Sequence, residues 1–282
     1  MATAPLNGAR IAYDDTGVPP LDVGPSSELV TGGAALPLLL VHAGIADRGM
    51  WDAQVVAFAP TRRVVRFDQR GFGGSDAPPD AFAPAEDARA LLDHLGIDRA
   101  VVVGDSMGGE VAIELALTHP DRVAGLVLCS TRAASDEASP ELVAIWETSD
   151  AAFQAGDRDR AVGIEAAAWV DGRARPAGTL DPAARARAVA MIRSTWERAN
   201  DQPGERTPLD PPRQGRLAEV ACPTLVLRGD LDLPEITAST DRLAAGIPGA
   251  TVAVIPNAAH LPPLEQPDAF NRLLADWLTT VG

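Results

Sequence analysis

Not one lysine occurs among the 282 residues; all 24 basic residues apart from the four histidines are arginine. That absence removes Schiff-base chemistry, attachment of pyridoxal phosphate and the lysine of a phosphate-binding loop. Cysteine is nearly missing as well, and two residues are too few for a disulfide framework or a zinc site. Cys129 ends the apolar run Leu126-Val127-Leu128, whereas Cys222 precedes the run that starts near Thr224. Neighbouring parallel strands would hold the two sulfurs at opposite sheet ends, on the order of 10 Å or more apart, so two buried free thiols are expected. No stretch is long and apolar enough to span a bilayer. The start, Met1-Ala2-Thr3-Ala4-Pro5-Leu6-Asn7, has neither the basic residues nor the apolar core of a signal peptide, and a cytoplasmic location is expected. Basic charge is in deficit throughout: a formal net charge of −15 offers no field for nucleic acid or for an anionic membrane surface. A small molecule is the expected partner.

What is present is an alternation of short apolar runs with helical patterns. With 46% apolar residues, the chain is ample for one sizeable core plus an insertion. The runs Leu38 to Val41, Val64 to Phe67, Val101 to Val103, Val123 to Leu128, Thr224 to Leu227 and Thr251 to Ile255 are predicted strands. Near-continuous apolar strands are buried on both faces, which implies an α/β fold with a mostly parallel sheet and helices on each side. Arg10 to Tyr13 is expected to add an antiparallel edge strand. The Pro- and Gly-rich stretch Gly17 to Ala35 reads as a surface excursion. From about Ala133 to Arg216 the alternation breaks into three helical patterns, Pro140 to Ala155, Arg158 to Val170 and Pro182 to Asn200, followed by a stiff return linker from Pro203 to Pro212. This reads as a helical cap over residues 133–216, inserted into a core made of 1–132 and 217–282. Three of the five tryptophans, Trp146, Trp169 and Trp196, lie in the cap. Packing of cap on core accounts for most of them, and Trp146 and Trp169 are candidates to line a substrate pocket.

The run Val101-Val102-Val103-Gly104-Asp105-Ser106-Met107-Gly108-Gly109 has a serine with glycine two residues to either side, between a β-branched strand and a helical pattern. Turning a strand into a helix within one residue strains the serine backbone and stands its hydroxyl clear of the chain. The glycines leave no Cβ to block the approach of strand and helix. The helix that follows aims its free amides and its dipole at Ser106.

A serine hydroxyl is a poor nucleophile near neutral pH and needs a base, itself oriented by an acid. Of the four histidines, His94 and His119 close helices, and His42 closes the strand Leu38 to Val41. His260 lies instead in the loop Asn257-Ala258-Ala259-His260-Leu261-Pro262 after a strand, the position of a site residue in a parallel sheet. After the strand Thr224 to Leu227, Asp230 and Asp232 compete for the acid, with an Asx-type turn as the alternative use of Asp230.

The order Ser106, aspartate, His260 resembles the nucleophile–acid–base order of the α/β-hydrolase family. Leu39-Leu40-Val41-His42-Ala43-Gly44 resembles its His-Gly oxyanion turn, Asp68-Gln69-Arg70-Gly71-Phe72-Gly73-Gly74-Ser75 its Asp-x-Arg-Gly-x-Gly-x-Ser segment, and Ala259 to Pro267 its histidine loop. The resemblance implies an α/β-hydrolase fold, a Ser106–His260–Asp232 triad, and oxyanion donors at the amides of Gly44 and Met107. No cofactor or metal is implied. Ala43 stands where the family usually has glycine, so a turn expected to tolerate positive φ carries a Cβ; if Gly44 does not donate, Ala43 is the fallback. His42 is expected to tie this turn together. The stretch His42 to Asp52, with Gly-x-Ser-Met-Gly-Gly, is similar to enol-lactonase and small arylesterase members. The implied activity is hydrolysis of a modest carboxylic ester or lactone. A cofactor-free C–C hydrolase or perhydrolase using the same three residues, and a ligand-binding pseudo-hydrolase, are the alternatives. Arg48, Arg70 and Arg132 lie near strand ends, where each either pairs within the fold or attracts an anionic substrate.

Overall fold

The computed structural model describes residues 1–19, 35–133, 138–172, 174–176, 178–198 and 203–281. The greater part of the Gly17 to Ala35 excursion and the end of the predicted Pro182 to Asn200 helix lie outside them. Eight strands form one sheet: β1 (Ala2–Leu6), β2 (Ala9–Asp15), β3 (Leu38–Val41), β4 (Val64–Phe67), β5 (Ala100–Asp105), β6 (Val123–Cys129), β7 (Thr224–Gly229) and β8 (Thr251–Ile255). Their spatial order is β1-β2-β4-β3-β5-β6-β7-β8. β1 and β2 are antiparallel, β2 meets β4 antiparallel, and every pairing from β4 to β8 is parallel.

Six strands stand where the apolar runs place them. The edge differs, because β2 is an inner strand and β1 covers it. The sequence Ala2-Thr3-Ala4-Pro5-Leu6 is short, with weak β-propensity, and its pairing comes from the turn at Asn7 (φ 45°) and Gly8 (φ 82°), which folds it back on β2.

The period of two along each strand divides the core. Leu38, Leu40, Val101, Val103 and Val127 join one apolar cluster, and Leu39, Val41, Val102, Leu126 and Leu128 join the other. Helices α1 (Asp52–Phe58) and α8 (Pro267–Leu278) contribute Phe58, Phe270 and Leu274 to the first cluster. The second takes Leu91, Val111, Ile113 and Leu243 from α2 (Pro84–His94), α3 (Met107–Thr118) and α7 (Pro234–Gly246). Between β6 and β7 lie α4 (Pro140–Gln154), α5 (Arg158–Ala166), a π-helical turn (Ala167–Asp171) and α6 (Pro182–Glu197). Leu142, Val162, Trp169, Val170, Met191 and Ile192 of this segment continue the first cluster, so its inner face is part of the core. Among the described residues no helix is long and apolar enough to cross a membrane. Cys129 and Cys222 are both free; Cys129 is buried as expected, whereas Cys222 is only half-buried, because it precedes β7 instead of lying within it.

Two glycines test this packing in opposite directions. A Cβ at Gly104 would sit 2.3 Å from the Gly108 carbonyl oxygen, whereas one at Gly163, inside α5, meets nothing within 4 Å. Gly104→Ala is expected to cost at least about 1–3 kcal/mol through overpacking against backbone that has no room to shift. Gly163→Ala is expected to add about 0.5–1 kcal/mol by helix propensity. Urea unfolding of the two variants measures both.

Candidate active site

At the C-terminal end of β5, Ser106 adopts φ 51°, ψ −117°, outside the helical and extended regions. Its N–H donates to the Cys129 carbonyl (2.8 Å), while its own carbonyl accepts from Gly109 N–H (2.9 Å) as α3 begins. The turn is tight because backbone meets backbone. A Cβ at Gly108 would lie 2.1 Å from the Val41 carbonyl oxygen, just as one at Gly104 would strike Gly108. These contacts leave only glycine possible at either position, as the motif demands.

His260 Nε2 lies 2.8 Å from Ser106 Oγ, and His260 Nδ1 lies 2.9 and 3.0 Å from the two Asp232 carboxylate oxygens. One of those oxygens also accepts from Leu233 N–H (2.8 Å), which fixes the carboxylate. With the His260 and Asp232 side chains 4% and 1% exposed, water does not compete for these bonds. The geometry requires the tautomer with the proton on Nδ1, donated to Asp232, and a free Nε2 lone pair directed at the serine hydroxyl. Burial lowers the His260 pKa, but the Asp232 charge and its hydrogen bond outweigh that, and the net shift is upward. Asp230 stands apart, exposed, its N–H bonded to the Ile255 carbonyl (3.2 Å).

Gly44 and Met107 line the same cavity as Ser106 and His260. Among the described residues neither amide has a protein acceptor; Met107, as the first residue of α3, has no carbonyl a turn earlier to bond. Ala43 does not have the positive φ that its place in the turn suggested, so its Cβ costs nothing; its amide instead contacts Met50 Sδ (3.4 Å). His42 ties this turn as expected: Nδ1–H donates to the Ala43 carbonyl (2.8 Å), and Nε2 accepts from Gln69 N–H (3.0 Å). Complete burial holds its pKa below the usual value, so it is neutral. His94 and His119 close α2 and α3, bonded to Tyr13 and Glu86.

The cavity has a volume of about 480 Å³, and Trp146, Trp169 and Trp196 form much of its apolar wall. Trp169 is buried against His260, ring centroids 4.4 Å apart, and its carbonyl accepts the His260 N–H (3.1 Å). Its indole N–H donates to Glu165 (2.6 Å), which also accepts from Ser149 Oγ (2.8 Å). Burial raises the Glu165 pKa. Trp146, 38% exposed, lies at the outer side beneath the Arg132 guanidinium (6.0 Å to the ring centroid). Of the three arginines near strand ends, Arg48 pairs with Asp14 and Asp68, and Arg70 with Asp87 (2.6 and 2.8 Å). Both serve the fold. Arg132 alone reaches the cavity wall.

Three features escaped the sequence reading. Behind the elbow, Asp105 is fully buried and, among the described residues, no N–H or O–H donor reaches either carboxylate oxygen; burial pushes its pKa up to about 8, with the Cys129 thiol as its polar neighbour. Glu265 accepts from Ala259 N–H and Leu261 N–H (2.8 Å each), the residues on either side of His260. Arg175 pairs with Glu265 while donating to the Asn257 (2.6 Å), Asp171 (3.0 Å) and Val170 (3.3 Å) carbonyls, so it joins the β6–β7 insertion to the histidine loop. Glu265 sits inside the recognisable histidine-loop motif. Arg175, an arginine in an irregular connection, carries no local signal.

An open, mostly parallel sheet with a serine on a strained strand–helix turn and an imidazole and carboxylate at neighbouring strand ends defines an α/β hydrolase. Residues 37–267 match the family model described as the alpha/beta hydrolase fold, and the chain belongs to that family. It resembles a thermophilic esterase from Thermogutta terrifontis, with 30% identity and a TM-score of 0.73 over 99% of this chain and 97% of that one. The enol-lactonase from Burkholderia xenovorans LB400 is 26% identical with a TM-score of 0.75, covering 99% of this chain and all of the other. The 2-hydroxymuconate semialdehyde hydrolase of Pseudomonas sp. (strain CF600) is 33% identical over 150 residues, about half of each chain.

The Arg175–Glu265 pair, 5% and 1% exposed, makes a strong prediction. Glu265→Ala leaves a buried guanidinium without its counter-charge and is expected to cost about 3–5 kcal/mol of stability. In Arg175→Ala/Glu265→Ala the loss should be well below the sum of the single losses, as a double-mutant cycle in denaturant reads directly.

Proposed function

We propose that this chain is a serine hydrolase that cleaves a small carboxylic ester or lactone through an acyl-enzyme on Ser106. The reading rests on one observation, the continuous hydrogen-bonded path from Ser106 Oγ through the His260 ring to Asp232 at the floor of an apolar cavity. His260 takes the Ser106 proton as Oγ attacks the carbonyl carbon. Asp232 holds the tautomer and stabilises the imidazolium, and the amides of Gly44 and Met107 hold the oxyanion at the N-terminus of α3. The imidazolium then gives its proton to the departing alcohol, and a water deprotonated by His260 releases the acid. Residues 133–216 act as the cap, with 1–132 and 217–282 as the core. Trp146 and Trp169 line the acyl site.

Resemblance to an esterase and to an enol-lactonase over nearly the whole chain supports an ester or lactone substrate. Hydrolysis of a C–C bond in a vinylogous diketone is the second reading, favoured by the 33% identity to 2-hydroxymuconate semialdehyde hydrolase.

A panel of p-nitrophenyl esters, lactones and a vinylogous diketone separates the two, and turnover of the diketone alone would overturn the ester reading. On the preferred ester, Ser106→Ala and Asp232→Asn are each expected to lower kcat by about 10⁴-fold or more, while Asp230→Asn, at an exposed position, has little effect. Because His260 acts as a base and its pKa is raised, kcat/KM is expected to fall as pH drops through a midpoint above the usual value of about 6.5. A midpoint below that value in a pH–rate profile would contradict the Asp232 assignment.

A further inference from the structure

The cavity wall carries Arg206, an arginine with no ion pair among the described residues. Arg206 comes from the return segment after α6, and its backbone is pinned: it bridges Phe82, with Phe82 N–H donating to the Glu205 carbonyl (3.0 Å) and Thr207 N–H to the Phe82 carbonyl (2.7 Å). Two residues earlier, Gly204 N–H donates to the Pro78 carbonyl (2.8 Å). The segment is therefore a fixed support. Its guanidinium contacts Met107 Sδ (2.5 Å), beside the amides at the start of α3, and lines the cavity with Ser106 and His260.

Among the described residues no carboxylate forms an ion pair with Arg206. Glu110 and Glu114 are engaged by Arg213. Glu165 is engaged by Ser149 and Trp169, and Asp150, the remaining carboxylate of the wall, is exposed on α4. A thioether is a weak acceptor that leaves most of the guanidinium's hydrogen-bonding capacity unused. Glu110 and Glu114 act on Arg206 through space without an ion pair, so its guanidinium keeps its hydrogen-bonding fork for an anion beside Ser106. The planar fork of a guanidinium matches a carboxylate best.

We propose that Arg206 binds a carboxylate carried by the substrate, so that the preferred ester or lactone is anionic, such as a half-ester of a dicarboxylic acid. This rests on the ester or lactone reading above. The remote charge fixes the substrate in the cavity, and the apolar tryptophan walls hold the chain between the carboxylate and the scissile carbonyl.

The test compares mono-p-nitrophenyl glutarate with p-nitrophenyl pentanoate, which share a leaving group and a five-carbon acyl chain and differ in the terminal carboxylate. The wild-type protein is expected to favour the half-ester in kcat/KM by about tenfold or more, the scale of one charge-assisted hydrogen bond. Arg206→Gln should lower that ratio by about tenfold, chiefly through KM, and Arg206→Lys should retain part of it. A wild-type ratio at or below unity overturns the proposal. So does an equal fall for both esters in Arg206→Gln, which would assign the side chain to the oxyanion or to the fold. Should neither ester turn over, it is the ester reading that fails. Quenching of the cavity tryptophans by monomethyl glutarate then decides the carboxylate site: tenfold weaker binding to Arg206→Gln than to wild type supports it, and equal binding overturns it.

Discussion

The approach of α3 to the strand ends is the constraint on which the site depends. Gly104 and Gly108 allow backbone to meet backbone where any side chain would lie closer than about 2.5 Å to a neighbouring main-chain atom. That contact forces Ser106 into φ 51° and sets its hydroxyl and the free amide of Met107 on the same cavity. The strain is affordable because β5 sits mid-sheet, with β3 and β6 completing its hydrogen bonds and all six of its residues buried.

Position of the imidazole is set from two sides. The β7–β8 end of the core supplies Asp232 and the Glu265 carboxylate that grips the amides around His260. The insertion supplies Trp169 across the ring and Arg175 against Glu265. A displacement of the insertion thus reaches the His260 ring directly, and the cavity's shape and the alignment of His260 are coupled through the same few buried contacts. Buried charge elsewhere serves the scaffold: Arg70–Asp87 and Arg48–Asp68 hold the segment after β4 that the family motif makes recognisable. Asp105 is the exception, a carboxyl pushed up to about 8 by burial, which keeps it largely neutral behind Ser106 at neutral pH.

Much of this was legible in the chain. Six strands, the elbow, the histidine loop and the division of work between His42 and His260 follow from local pattern, because apolar runs and punctuating glycines report on burial and turn geometry within a few residues. The choice of Asp232 over Asp230 came from family resemblance, and the structure places Asp232 alone against the imidazole, with Asp230 two residues away in solvent. Expected strain at Ala43 did not materialise, since the turn keeps an ordinary φ there. The edge strand was misplaced because β1 has too little β-propensity to announce itself and gains its order from pairing.

Sequence by itself determined the parallel sheet and the strand–helix turn at Ser106 and singled out His260 among four histidines, since strand period and strand–helix junctions are local properties of the chain. Only the tertiary structure decided which arginines enter ion pairs and which, like Arg206 among the described residues, do not. Arg48, Arg70, Arg175 and Arg206 are indistinguishable as letters, and their roles depend on whether folding brings a carboxylate within reach of each guanidinium.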